Sequence, residues 1–85
     1  MNFADAIREY GIHLDVERNV SPHTRRAYLS DVRQFVASLD ASSNPSTVTA
    51  ADVRAFLAAL HAGCHPATLG RKLASLRSFF RFTLR

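Results

Sequence analysis

Apolar residues recur along this chain at spacings of three and four, in four separate runs. In the first, Phe3, Ile7, Tyr10 and Leu14 share one helical face over roughly residues 3–17. Ile12 and Val16 fall off that face, four residues apart and so adjacent on the helix surface. In the second run, Thr24, Tyr28, Val32, Phe35, Val36 and Leu39 line one side. His23, Arg26, Ser30 and Arg33 follow the same period on the opposite side. The third run places Val53, Phe56, Leu57 and Leu60 inward. The fourth, from Pro66 to roughly Leu84, carries Leu69, Leu73, Leu76 and Phe80 as its stripe. Arg71, Ser75 and Ser78 fall nearly opposite that stripe, with Lys72 on a flank. Arg77 lies beside Leu73 and Leu84 at the core edge, where its stem would pack and its head would reach a carboxylate or carbonyl. Phe82 points away from the stripe.

The breaks between runs have the chemistry of helix ends. Ser21-Pro22 reads as an N-cap followed by a proline at the first helical position. Residues 40–48 form a polar loop with room for a short extra turn, and Thr49 with Asp52 resembles a capping box. Gly63 suits a helix C′ position, and Pro66 opens the last helix. No run alternates with period two, so no strand competes. The expected fold is all-α: four helices in an orthogonal or crossed bundle, forming one domain over residues 1–85.

Charge changes this picture. The 85 residues carry a net charge of +4, unevenly placed. Residues 1–20 hold Asp5, Glu9, Asp15 and Glu17 against Arg8 and Arg18, while residues 66–85 hold Arg71, Lys72, Arg77, Arg81 and Arg85 with no acid. A basic end of this kind suits an anionic partner, although a solvated surface also needs charge. Two helices with basic backs on one small bundle favour a polyanion, and DNA above others.

Catalytic and metal chemistry has no foothold. There is no glycine-rich phosphate loop and no zinc-type Cys/His spacing. The histidines at 13, 23, 61 and 65 share no helical spacing, and His61 and His65 flank the Gly63 break. Tyr10 and Tyr28 sit on apolar faces, and nothing orders Ser, His and Asp as a triad. No catalytic residue, metal site or cofactor is expected. The single Cys64 cannot pair within the chain, which suits a reducing interior, and no apolar run resembles a leader or a membrane span.

The run Glu17-Arg18-Asn19-Val20-Ser21-Pro22-His23-Thr24-Arg25-Arg26-Ala27-Tyr28-Leu29-Ser30-Asp31-Val32 resembles the opening of the core-binding domain of tyrosine recombinases. It has a Ser, a Thr three residues on, a Tyr four after that, and an acid before the next apolar residue. The run Arg71-Lys72-Leu73-Ala74-Ser75-Leu76-Arg77-Ser78-Phe79-Phe80-Arg81-Phe82 resembles that domain's last long helix. The resemblance covers essentially the whole chain and is nearest the XerC/XerD branch, slightly nearer XerC. Gly70 near the start of the fourth helix, and Phe80 where Tyr is frequent, depart from the pattern.

The resemblance implies the SAM-like, core-binding half of a DNA clamp, with helices two and four facing the major groove. A separate C-terminal domain, outside these residues, would carry the catalytic Arg, Lys and His groups and the Tyr nucleophile. This chain would then be a non-enzymatic domain or fragment. Carried over position by position, the contacts would be His23, Arg26, Ala27 and Ser30 on helix two, and Ala67, Arg71, Lys72 and Ser75 on helix four. The helical wheels point independently to His23, Arg26, Ser30, Arg71 and Ser75. Thr24 and Arg25 lie beside them; the Thr24 hydroxyl could meet a phosphate or serve as a cap or core group. Most of these contacts would be to phosphate, while Arg26 and Arg71 could read guanine. The implied partners are double-stranded DNA and other protomers in a tetramer, with the isolated domain monomeric; Ile12, Val16 and Phe82 are available for protomer contacts or for docking of the catalytic domain. The implied setting is the bacterial cytoplasm and nucleoid, in chromosome dimer resolution or phage-type integration. The alternative is a helical protein-interaction module whose basic face meets an acidic partner.

Overall fold

The computed structural model describes residues 1–84, so Arg85 of the basic end lies outside the described residues. The helices are α1 (Phe3–Val16), α2 (Pro22–Ala37), α3 (Ala50–Leu60) and α4 (Pro66–Thr83), with a 3₁₀ turn at His61–Gly63. No strand occurs among the described residues.

Each helix begins where the chain supplies an acceptor for the amides that a helix start leaves unpaired. Asn2 Oδ1 accepts from the Asp5 amide at 2.8 Å, and Ser21 Oγ from the Thr24 amide at 3.1 Å. Thr49 and Asp52 close the expected box: the Thr49 amide donates to Asp52 Oδ2 at 2.8 Å, and the Asp52 amide to Thr49 Oγ1 at 3.3 Å. The cap of α4 is His65, whose Nδ1 accepts from the Ala67 amide at 3.1 Å. Gly63 does not end α3 in a left-handed turn: the helix stops at Leu60, and no glycine has a positive φ. The left-handed residue is Asn19, with φ of 50°, in the link between α1 and α2. Residues 40–48 form turns without a further helix; Asp40 Oδ1 accepts from the Ser42 amide and Asn44 Oδ1 from the Ser46 amide, both at 2.9 Å.

The core sits among α1, α2 and α4, with α3 covering one side. Tyr10, Leu14, Val32, Phe35 and Phe79 have no exposed surface. Phe79 meets Tyr10 edge-on at 5.2 Å between centroids, and Phe35 meets Phe56 in the same manner at 5.2 Å. The Tyr10 hydroxyl donates to Ser78 Oγ at 2.7 Å, joining α1 to α4. Burial pushes the Tyr10 phenol above its usual pKa.

Helix α1 buries Phe3, Tyr10 and Leu14 of the face its sequence predicts and adds Ala6 and Gly11 to it; Ile7 is half-buried, and Ile12 and Val16 are exposed at 55% and 73%. Helix α4 is rotated from its expected setting. Its buried line is Lys72, Ser75, Leu76 and Phe79, while Leu69, Leu73 and Phe80 are only half-buried. Ser75, expected opposite the core, has no exposed surface. The cause is an acid on α2, described below, that draws polar groups of α4 inward. Two further expectations change with the rotation. Phe82 packs on α1, 5.6 Å from Tyr10 and 4.7 Å from His13 between ring centroids, so it is not a spare surface aromatic. Arg77 is exposed and has no hydrogen bond or ion pair among the described residues, so it does not anchor the core edge.

Gly70 lies on the outer side of α4, and a methyl group there would meet nothing within 4 Å. Gly70→Ala should therefore raise stability by about 0.5–1 kcal/mol through backbone entropy and helix propensity. A thermal melt would show this as a rise of several degrees; a lower midpoint would mean the outer face of α4 is not open.

Candidate nucleic-acid interface

The most unusual feature of the bundle is a carboxylate buried between its two basic helices. Asp31, on α2, is 1% exposed. It accepts from Arg71 Nε at 3.0 Å and Nη2 at 2.8 Å, from Lys72 Nζ at 3.0 Å, and from Ser75 Oγ at 3.2 Å. Lys72 Nζ also donates to Gln34 Oε1, and Ser75 Oγ lies 2.8 Å from the Lys72 carbonyl. One acid thus ties α2 to a whole turn of α4, and no buried side-chain polar atom among the described residues lacks a partner. Burial pushes the Asp31 carboxyl up, but the hydrogen bonds and charges of Arg71 and Lys72 outweigh it and hold the group below the usual carboxylate range. The same contact raises the Arg71 guanidinium.

This network sorts the residues singled out from the sequence. Lys72 is 8% exposed and faces inward, and Ser75 is wholly buried; neither presents its polar end to solvent here. Arg71 differs, because its side chain remains 44% exposed while two of its nitrogens are held by Asp31. On α2, His23, Arg26, Ser30 and Arg33 are all exposed, as their period predicts. Arg26 and Arg33 have no hydrogen bond or ion pair among the described residues. Ala27 is half-buried and Ala67 exposed. Thr24 is half-buried at the helix start, 3.0 Å from Ser21 Oγ, with its amide in the cap. Arg25 turns toward α1, where its Nε donates to the Gly11 carbonyl at 3.1 Å. Gly11 makes room for it, since a methyl group there would stand 2.9 Å from Arg25 Nη2.

The cations at the surface, exposed or half-buried, therefore divide. Arg71 stands at the α2–α4 seam, beside the Asp31–Lys72–Gln34 network. Arg33 and Arg25 line a shallow hollow between α1 and α2, together with Arg8. Arg77 and Arg81 are exposed on α4. Sequence reasoning gave Asp31 no role and missed Gln34 altogether. A signal was present: Asp31 is the single acid in α2, and α4 has none. A lone carboxylate packed against an acid-free basic helix is a natural partner for its cations.

The model of the phage integrase N-terminal SAM-like domain matches residues 7–85. The chain belongs to that family. Among characterised proteins, the domain is 45% identical over 85 residues to the tyrosine recombinase XerC of Pelobacter propionicus, covering 95% of this chain and 28% of that protein. It is 40% identical to XerC of Syntrophus aciditrophicus, over 92% of this chain and 28% of that protein. It is also 40% identical to XerC of Lacticaseibacillus casei, over 94% and 27%. The domain thus spans under a third of the length of these relatives, and the resemblance to tyrosine recombinases drawn from its motifs holds. No solved structure gives a significant match. No helix among the described residues is long and apolar enough to cross a membrane.

Proposed function

We propose that this domain grips duplex DNA for a site-specific tyrosine recombinase, with α2 and the α2–α4 seam facing the major groove. The observation that carries this reading is that Arg26 and Arg33, on the outer face of α2, are exposed and have no partner among the described residues, in a domain of this family. His23, Ser30 and the free edge of Arg71 extend that face. Arg26 and Arg33 neutralise phosphates, and contacts of that kind position the duplex. Ser75 and Lys72 act from beneath, by holding α4 against α2. Cutting and rejoining of DNA by a tyrosine belongs to a catalytic domain of the parent recombinase, and residues 1–85 alone leave duplex DNA uncut. Chromosome dimer resolution, or integration of phage type, is the process this assigns to the whole protein, within the bacterial cytoplasm.

Assembly on DNA follows from the same reading. Ile12 and Val16 form a small exposed apolar pair on α1. They serve protomer contacts in a tetramer bound to DNA, and are too small a patch to hold the free domain together as an oligomer. Phe82 takes no part, because it is packed on Tyr10 and His13.

Arg26→Ala tests the assignment. The side chain touches no partner among the described residues, so the melting temperature should stay near that of the parent domain. Duplex affinity should fall, and the slope of log K against log salt should shrink by about 0.9, one phosphate contact. Fluorescence anisotropy over a salt series reads both; unchanged affinity in Arg26→Ala and in Arg33→Ala would remove α2 from the interface. The competing reading, a module for an acidic polypeptide, draws support from the hollow rimmed by Arg8, Arg25 and Arg33, whose floor includes Ile7 and Leu29. Preferential binding to polyglutamate over duplex DNA at equal salt would favour it.

A further inference from the structure

Arg26 and Arg71 are both exposed arginines, yet they differ in mechanical state. Arg26 has no partner among the described residues, whereas Arg71 is clamped side-on by a buried carboxylate through Nε and Nη2. That clamp leaves the end of the guanidinium, Nη1 with the outer hydrogen of Nη2, as a two-donor fork at the surface of the seam. We infer that Asp31 is a positioning residue for sequence readout: it fixes Arg71 so that this fork takes O6 and N7 of one guanine, and it disfavours phosphate as the alternative target. The inference rests on the duplex-binding reading above.

Two physical arguments select the base edge over phosphate. Phosphate binding is driven by charge, and Asp31 Oδ1 lies 2.8 Å from Arg71 Nη2 and 3.0 Å from Lys72 Nζ, so the shared acid offsets part of what a phosphate would feel. Recognition of guanine depends instead on the direction of two parallel hydrogen bonds to a neutral edge, and a fixed fork supplies that direction. Lys72 and Ser75 complete the arrangement. They satisfy the remaining acceptor positions of Asp31, so the carboxylate cannot swing away from Arg71. The carboxylate itself stays buried and never touches DNA in this arrangement.

The consequence is a pair of changes with opposite signs. In Asp31→Asn the amide no longer cancels the arginine charge or holds both nitrogens, so Arg71 becomes mobile and seeks phosphate. Binding to arbitrary duplex should strengthen, with the salt slope steeper by about 0.9. Preference for one G·C pair should collapse, from roughly 5- to 150-fold in the parent chain toward unity. Loss of a merely structural residue would weaken both kinds of binding together.

The test is selection of the 85-residue chain on a randomised duplex library, followed by anisotropy on the selected duplex and on its single-pair variants. Arg71→Lys is run in parallel: it keeps the charge and removes the fork, and it should lose the same base preference. Folding of each variant is checked by circular dichroism. Should Asp31→Asn not fold, the same substitution combined with Lys72→Met, which removes the uncompensated ammonium, takes its place. Loss of one G·C preference with general binding retained supports the inference. The same preference in Asp31→Asn or in Arg71→Lys as in the parent overturns it. A parent chain that binds duplex with no preference at any pair also overturns it, while leaving the duplex-binding reading intact. A parent chain that binds no duplex at all overturns that reading itself.

Discussion

Phe79→Ala should bring the domain close to unfolding at room temperature. The ring has no exposed surface and joins three others: Phe3 at 6.4 Å, Tyr10 at 5.2 Å and Phe80 at 5.0 Å between centroids. Removing a buried phenylalanine costs about 3–5 kcal/mol, through lost transfer free energy and the cavity left behind. A domain of this size has a total stability near the lower end of about 5–15 kcal/mol, so one such loss consumes most of it. Gly70→Ala in the same background should recover only about 0.5–1 kcal/mol of that. Urea denaturation followed by circular dichroism measures the difference. A loss under about 1 kcal/mol would mean that the aromatic cluster is not where the fold is held.

The second large effect is expected at Asp31. Asp31→Ala removes the carboxylate and leaves the Lys72 ammonium facing inward without its counter-charge. Breaking a buried pair by deleting one partner costs about 3–5 kcal/mol, because the remaining charge is uncompensated. Lys72→Met in addition should recover much of that loss, since an apolar side chain of similar length tolerates the site. The pH dependence has a definite sign. The carboxyl pKa is lowered in the folded state, so the unfolded chain takes up the proton first. The stability from Asp31 is therefore fully present above the unfolded value of about 3.9, and is lost as pH falls through the lower folded value. The gap between the parent domain and Asp31→Ala should be wide at neutral pH and should narrow in acid below the ordinary carboxylate range. A gap that does not narrow there would show that the network contributes through shape and not through charge.

Periodicity carried the fold a long way. Each expected helix is present within a residue or two of its expected ends, because caps at Ser21 and Thr49 and prolines at 22 and 66 mark the starts chemically. The setting of α4 about its own axis was less legible. A stripe of Leu69, Leu73, Leu76 and Phe80 reads as the buried face if only apolar residues are allowed inside. Asp31 changes that rule by giving Lys72 and Ser75 a buried partner, and the helix turns to bring them in together with Phe79. Phe82 then moves onto Tyr10 and His13, and Arg77 moves out. The outer face of α2 was legible for a related reason: among the described residues, His23, Arg26, Ser30 and Arg33 have no competing partner to draw them inward. Arg25 lies next in sequence to Arg26, yet it reaches the Gly11 carbonyl, a contact that only the packing of α1 on α2 reveals.

The measurement closest to the central claim is the affinity of the 85-residue chain for a duplex of mixed sequence, taken across a range of salt. Log K should fall linearly with log salt at a slope of about −2 to −4, from two to four phosphates at about 0.9 each. Arg26→Ala should flatten that slope and Asp31→Asn should steepen it. Absence of duplex binding at low salt, or a slope near zero, would contradict a phosphate-binding role for the outer face of α2.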